Sequence, residues 1–447
     1  MKSGLRVLLL WVFSLTQVAE CSDLTAVAAG DGEYPDYTCP LDPLHIEIEC
    51  NIREAIKYLD PANDANEGYT NVRLKVHDSQ SPDFVYQWDQ TRALVVTYEL
   101  RINTGYSSDR YALIEGYDGP EHTEDENAYH DAGFILVAEG GEVYIECVRF
   151  QHFNRLVLPA LAIHSYPELE STISHGGVLS ARDGGYLYVV ACQFYNNSAK
   201  QGGAVYVAGA ENATTTVEIA SGTLFLSNHA EYSGGAMYVE ASLPAVVDIG
   251  TDRASTFVCS DYYDLYEPTT NGLTLIEKDS DCGVRFAGNS AGYYGGGLAV
   301  ASEVPPTLDY VNDVEIHEYC EFSANTAGID GGGMYMYYTP GVDIKGSVSF
   351  ISNEVRVSRD IDRAACFVLT SNDTAMQANY GGGIYGSRML TFVLGESCVF
   401  DGNFADECGG GMYLNIAGCA NPCQPGTDDS TIRFSGNTAG NSQGSLS

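Results

Sequence analysis

Arg182 and Asp183 put a guanidinium beside a carboxylate just ahead of the alternating run Tyr186–Val190. Those residue types suit acid–base work on sugars. An arginine can remove a sugar proton while carboxylates hold calcium, and a close pair of carboxylates can hydrolyse a glycosidic bond. Arg101-Ile-Asn103, His130-Asp131 and His175-Gly-Gly offer similar types without completing a catalytic signature. Isolated motifs of this kind are more often turn residues than catalysts, so Arg182 and Asp183 stand only as candidates. His-Glu-x-x-His and the P-loop are absent, and no helix or lysine follows the glycine triplets to make them phosphate cradles.

The elements that must position any such residue are written in a repeat. Phe-x-x-Asn occurs at Phe194/Asn197, Phe225/Asn228, Phe286/Asn289, Phe322/Asn325, Phe350/Asn353, Phe400/Asn403 and Phe434/Asn437. It continues as Asn-x-Ala at Ala199, Ala230, Ala291, Ala327 and Ala405, then reaches Gly-Gly and an apolar residue. A recurring unit dictates architecture and points to a solenoid. The physics suits a coil of short parallel strands stacked about 4.8 Å apart. Inward phenylalanines would stack into a file. Asparagines at a bend would bond their own backbone and the next asparagine amide. Paired glycines would supply positive φ and close approach at a corner.

Strands dominate elsewhere. Val72–Val76, Ala93–Ile102, Phe134–Val137, Val143–Cys147 and Tyr186–Val190 alternate or run apolar, and the glycine runs lead into Ala204–Val207, Ala236–Val239, Met334–Tyr337 and Met412–Leu414. Thr251–Cys282 and Glu354–Tyr380 are the largest insertions and would project as loops. Residues 22–70 read as a polar leader and a short helix. In that helix Ile52, Ile56 and Leu59 share a face, Asn51 caps and Pro61 stops, making a lid for the open end of the stack. The coil would fill residues 71–447. The fold class is therefore all-β, a parallel β-helix solenoid with a short N-terminal capping helix and long inserted loops.

Lys2 and Arg6, the apolar run Val7–Leu15 and Ala19-Glu20-Cys21 predict a secretory signal over residues 1–21, and no later segment is long and apolar enough to span a bilayer. The chain has 13 cysteines; removal of Cys21 with the signal leaves an even number, which suits disulfides in an oxidising compartment. Cys259 with Cys282 would close one insertion, and Cys408, Cys419 and Cys423 lie close together. The spacing fits no familiar zinc site, so neither metal nor cofactor is assigned, although clustered carboxylates could hold calcium loosely. Asn196, Asn212 and Asn372 are glycosylation sequons, Asn196 lying close to the packed wall. A net charge of −38 excludes nucleic acid as a partner. The abundant tyrosines either stack on sugars from outside or pack between coils, and strand alternation favours packing.

The Phe-x-x-Asn and Gly-Gly-apolar combination resembles the repeats of chlamydial polymorphic outer membrane proteins, over roughly Phe150 to the C-terminus. The upstream part, with Ile52-Arg-Glu-Ala-Ile56, Val72–Val76 and Ile114-Glu-Gly-Tyr, resembles the opening turns of the right-handed, pectin-lyase-like parallel β-helix group. Arg101-Ile-Asn103 is partly similar to the Arg-Ile-Lys of polygalacturonases. The resemblance implies a right-handed β-helix that is secreted or held at the cell surface. It would serve as an adhesive or ligand-displaying scaffold, contacting a glycan or a cell-surface protein. The alternative it implies is a polysaccharide lyase or related enzyme acting on acidic polysaccharide. Family members of the autotransporter type end in a membrane β-barrel, whereas this sequence ends inside a repeat after Phe434-Ser-Gly-Asn437, so a truncated product or an uncapped last coil is expected.

Overall fold

The computed structural model describes residues 24–26, 52, 55, 56, 59–61, 71–74, 85–89, 93–103, 112–117, 133–154, 175–251, 266–269, 272–275, 283–302, 305, 313–356, 380–395, 397–406, 408–415 and 432–440. Four parallel sheets carry nearly all of them, and from Tyr186 to Asn415 each coil gives one strand to each sheet in turn: the protein is an all-β parallel β-helix. In one coil the chain passes through Tyr186–Val190, Gln193–Tyr195, Ser198–Gln201 and Val205–Ala208 before Thr215–Ala220 rejoins the first sheet. After their contents these are the carboxylate, phenylalanine, alanine and tyrosine sheets. They hold ten, ten, seven and nine described strands respectively.

The repeat folds as its residue types require. Inward phenylalanines stack in register from Phe150 through Phe194, Phe225, Phe286, Phe322, Phe350 and Phe400 to Phe434, with centroids 4.6–5.3 Å apart. From Phe150 to Phe400 they are fully buried, each such side chain contributing about 1.5–3 kcal/mol. Phe150 belongs to the file although its coil has Phe153 where the others have asparagine; Phe153 N–H donates to Asn197 Oδ1 (3.1 Å).

The asparagines form a ladder, but their side chains bond neighbouring coils and not their own backbone as expected. Asn289 Nδ2 donates to Asn325 Oδ1 of the next coil (3.0 Å) and to the Phe225 carbonyl of the coil before (3.0 Å), while Asn289 N–H also donates to Asn325 Oδ1 (3.0 Å). The same correction holds along the column. Asn228 Nδ2 donates to Asn289 Oδ1 (3.0 Å) and to the Phe194 carbonyl (2.9 Å). Asn353 Nδ2 donates to Asn403 Oδ1 (3.0 Å) and to the Phe322 carbonyl (2.8 Å). Asn197, Asn228, Asn289, Asn325, Asn353 and Asn403 are all buried, and each side chain satisfies an N–H and a carbonyl of the preceding coil that would otherwise be costly orphans. At the glycine corner Gly331 has φ +68°, and a Cβ on Gly332 would lie 2.5 Å from the Gly382 carbonyl oxygen.

Three boundaries differ from the sequence reading. Ala93–Ile102 is two strands in different sheets, Leu94–Val96 and Glu99–Asn103, because the chain turns a coil corner at Thr97–Tyr98 without glycine or proline to mark it. Glu354–Val355 is not an insertion but a strand of the alanine sheet, paired with Thr326 and Ala327. The Thr251–Cys282 insertion contains an antiparallel pair, Tyr266–Thr269 with Gly272–Leu275, outside the four sheets. At the N-terminal side Ile52, Ala55 and Ile56 are helical and, with Leu59, buried in the main core; Tyr98 Oη donates to the Ile56 carbonyl (2.9 Å).

The expected disulfides do not form among the described cysteines: no bond joins any two of Cys147, Cys192, Cys320, Cys398 and Cys408. Cys192, Cys320 and Cys398 each stand two residues before a file phenylalanine, an inward place that Thr223, Val284 and Val348 take in other coils. No two of these three occupy consecutive coils, so two strand spacings, about 9.6 Å, separate the nearest pair, beyond the reach of a bridge. They act as small core fillers whose thiols donate weakly to backbone carbonyls, Cys192 to Val190, Cys320 to Ile249 and Cys398 to Lys345, and burial pushes the Cys192 and Cys398 thiols up in pKa. Cys259, Cys282, Cys419 and Cys423 lie outside the described residues, as do the signal segment and Asn372.

Candidate functional site

Because strand side chains alternate, each sheet turns one set of residues to the core and the other outward. On the tyrosine sheet the outward set is aromatic. Tyr206 pairs in register with Tyr238, and Tyr335 with Tyr385 and Tyr385 with Tyr413, Ala299 standing between the two groups. The rings lie nearly parallel at 5.8, 5.2 and 5.6 Å, and His175 stacks on Tyr206 at 4.2 Å. Tyr206, Tyr238 and Tyr335 are buried, and burial pushes the Tyr206 and Tyr335 phenols far above their ordinary pKa. These three rings pack between coils and leave no open face for a sugar.

The carboxylate sheet is outwardly charged. Glu218, Asp248, Glu315 and Asp343 stand in register on four consecutive strands, while Val217, Ile219, Val247, Ile249, Val314, Ile316, Val342 and Ile344 beside them are buried. His317 follows Glu315 by two residues and so shares its face; its Nε2 lies 3.9 Å from Asp248 Oδ1 and 3.7 Å from Glu315 Oε2. Lys345 Nζ sits 3.2 Å from Glu315 Oε1 and also bonds Asp343. Asp248, then Glu315, holds the His317 imidazole above its ordinary pKa. Burial, then the Glu315 and Asp248 charges, raises that of Asp313 on the same sheet. Sequence reading missed this cluster. Its signal is a second repeat, apolar-acid-Ile, at Val217-Glu-Ile219, Val247-Asp-Ile249, Val314-Glu-Ile316 and Val342-Asp-Ile344.

Arg182 and Asp183 do meet, Nε to Oδ2 at 3.7 Å, in the corner before Tyr186–Val190; Asp183 is exposed and has φ 54°. Arg101 is elsewhere: its Nε donates to Glu99 (2.8 Å) and its guanidinium lies 4.5 Å over the Tyr144 ring, two strands from Tyr186–Val190. His130 and Asp131 lie outside the described residues. The sequons at Asn196 and Asn212 are exposed, Asn196 in the left-handed region at a bend (φ 51°) and beside the buried ladder residue Asn197. Two motif-like strings arise from the repeat. Gly288-Asn-Ser-Ala-Gly292 places Ser290 in a strand beside His229, Nδ1 to Oγ at 2.9 Å, rather than on the strand-to-helix turn that makes a nucleophile elbow. Gly381-Gly-Gly-Ile-Tyr-Gly386 enters a strand, Ile384–Ser387, instead of a phosphate-binding helix.

The coil that contains Phe194, Asn197 and Gly202-Gly203 decides the resemblance. Residues 191–208 match the Chlamydia polymorphic membrane protein repeat. The matched stretch runs from the corner before the phenylalanine strand to the end of the tyrosine strand, most of one coil. It includes the inward Cys192, the ladder asparagine and the glycine corner, the residues that join one coil to the next. No curated protein and no solved structure matches the chain.

Proposed function

We propose that this protein is a surface-exposed or secreted scaffold that displays its insertions from a rigid coil and binds a glycan or a cell-surface protein without catalysis. The observation that carries this reading is the polymorphic membrane protein repeat at residues 191–208, set in a β-helix whose most regular residues face inward. A regular stack of this kind holds loops at fixed spacing, and recognition in such folds sits on loops borne by a rigid frame. Long stretches of sequence separate Asn154 from His175, Thr251 from Gly283, Arg356 from Tyr380 and Asn415 from Ile432 along the coil, and these are the segments the reading assigns to display. Among the described residues no helix is long and apolar enough to cross a membrane. One β-helix frame can carry either a binding surface or a catalytic site, and a single experiment that reads binding and chemistry together separates the two.

Immobilised protein is exposed to acidic polysaccharides and intact cells, and unsaturated sugar products are followed by ultraviolet absorbance in the same samples. Binding that is lost when residues 357–379 or 252–282 are replaced by short linkers, with unchanged coil melting, supports display. Product formation that disappears in Arg182→Ala overturns it in favour of the lyase.

A further inference from the structure

Asp248, Glu315 and His317 bring one imidazole and two carboxylates to a single point on the carboxylate sheet. Their ligating atoms all lie within 4.8 Å of one another. The backbone fixes this arrangement. Asp248 and Glu315 are register partners on adjacent strands, and His317 is two residues beyond Glu315 on the same face. Gly250, at φ +87°, lies against this strand end: a Cβ there would lie 2.6 Å from Cys320 Sγ and 3.4 Å from His317 Cβ.

Two observations separate this cluster from an ordinary charged surface. First, His317 Nε2 is itself shielded from solvent, although the side chain is 30% exposed, and Asp248 and Glu315 reach it as ion-pair neighbours without a short hydrogen bond. Its carboxylate neighbours at 3.7 and 3.9 Å are beyond hydrogen-bond range, which ends at about 3.2 Å. The spacing is close to that of ligands sharing one ion: bonds of about 2.0–2.2 Å in a tetrahedral site put ligand atoms about 3.3–3.6 Å apart. Second, Lys345 approaches the opposite oxygen of Glu315, Oε1, and so leaves Oε2 turned toward His317. The lysine orients a ligand instead of filling the site. An imidazole nitrogen in the set selects a zinc-type cation over calcium, which prefers oxygen alone.

We propose that Asp248, Glu315 and His317 bind a divalent cation of the zinc class, completed by water, which ties together the coils on either side of the 252–282 insertion. The inference is independent of what the insertions bind.

The test is calorimetric titration of the chelator-treated full chain with zinc chloride, with thermal melting run in parallel. Zinc should bind saturably and raise the melting temperature, as any ligand specific to the folded state does. His317→Ala and the near-isosteric Asp248→Asn should each remove one equivalent or weaken it at least tenfold. His229→Ala, a histidine on the alanine sheet, should leave it intact, and excess calcium chloride should not displace it. Equal uptake by the wild type and by a folded Asp248→Asn variant would overturn the proposal. So would equal loss in His229→Ala, or displacement by calcium.

Discussion

Phe400 and Phe434 occupy the same place in consecutive coils, stacked at 4.8 Å, yet Phe400 is fully buried and Phe434 is 45% exposed. Their own coils are alike: each has the motif, the ladder asparagine and the Asn-x-Ala continuation, Ala405 in one and Ala439 in the other. The difference lies in the neighbours, since among the described residues Phe434 has a coil on one side only. A coil of this protein therefore does not bury its own motif; the next coil does so. Stability resides in the contacts between coils, as expected of a quasi-one-dimensional stack.

That comparison can be broken most severely at the corner where coils approach closest. Gly332→Val should prevent the stack from closing, because its side chain would collide with Gly382 and Glu354 backbone; we expect a loss above about 4 kcal/mol, read as absence of a cooperative urea transition. A Gly332→Val protein with a wild-type midpoint would refute the idea of a packed corner. Next in size, Phe322→Ala should cost about 3–5 kcal/mol, whereas Phe434→Ala should cost about 1 kcal/mol or less, so the pair of midpoints measures what a second neighbour adds. Similar losses at the two sites would show that burial is supplied within the coil.

Asn325→Ala follows, at about 2–4 kcal/mol, because it orphans the N–H and Nδ2 of Asn289 in a buried place. Asn437→Ala removes the same bonds from Asn403, but Asn437 is half-buried and water can replace them, so its cost should be smaller. Hydrogen exchange at the Asn289 and Asn403 amides would resolve the two cases directly. The smallest effect is expected for Cys320→Val, within about 1 kcal/mol in reducing buffer, since Val284 and Val348 already fill that place in the coils before and after. A large loss there would mean the thiol has a role that apolar packing does not explain.

The inward half of the molecule was the legible half. Phenylalanine, asparagine and glycine at fixed offsets report a geometry that other residues cannot satisfy, so the file, the ladder and the corner could all be read from spacing. What spacing could not show was the ladder's second partner. Asn228 and Asn353 reach back to the phenylalanine carbonyl of the preceding coil, a contact that depends on how the coils are stacked. The corner at Thr97–Tyr98 was also hidden, because any residue that tolerates a bend serves there, and two strands looked like one. The even count of cysteines after Cys21 suggests disulfide pairing, whereas Cys192, Cys320 and Cys398 are unbridged and stand in an inward place of the coil that Val284 and Val348 also fill. The cluster of Asp248, Glu315 and His317 was hidden for the opposite reason. Val-Asp-Ile is ordinary strand alternation, and only the register, which crosses an insertion, brings its acid beside Glu315 and His317. Arg182 and Asp183 were found together as neighbours in sequence must be, which says little about chemistry.

The asparagine ladder has a further, electrical consequence. From Asn197 to Asn437 each side-chain carbonyl accepts from the coil before it, so these amides all point the same way along the axis. Their dipoles add, as peptide dipoles do along an α-helix, and chained hydrogen bonds polarise one another. The column thus has a direction, negative toward the Asn197 end and positive toward the Asn437 end. In a protein of net charge −38, the Asn437 end is where this inner wire offsets the surrounding field instead of reinforcing it.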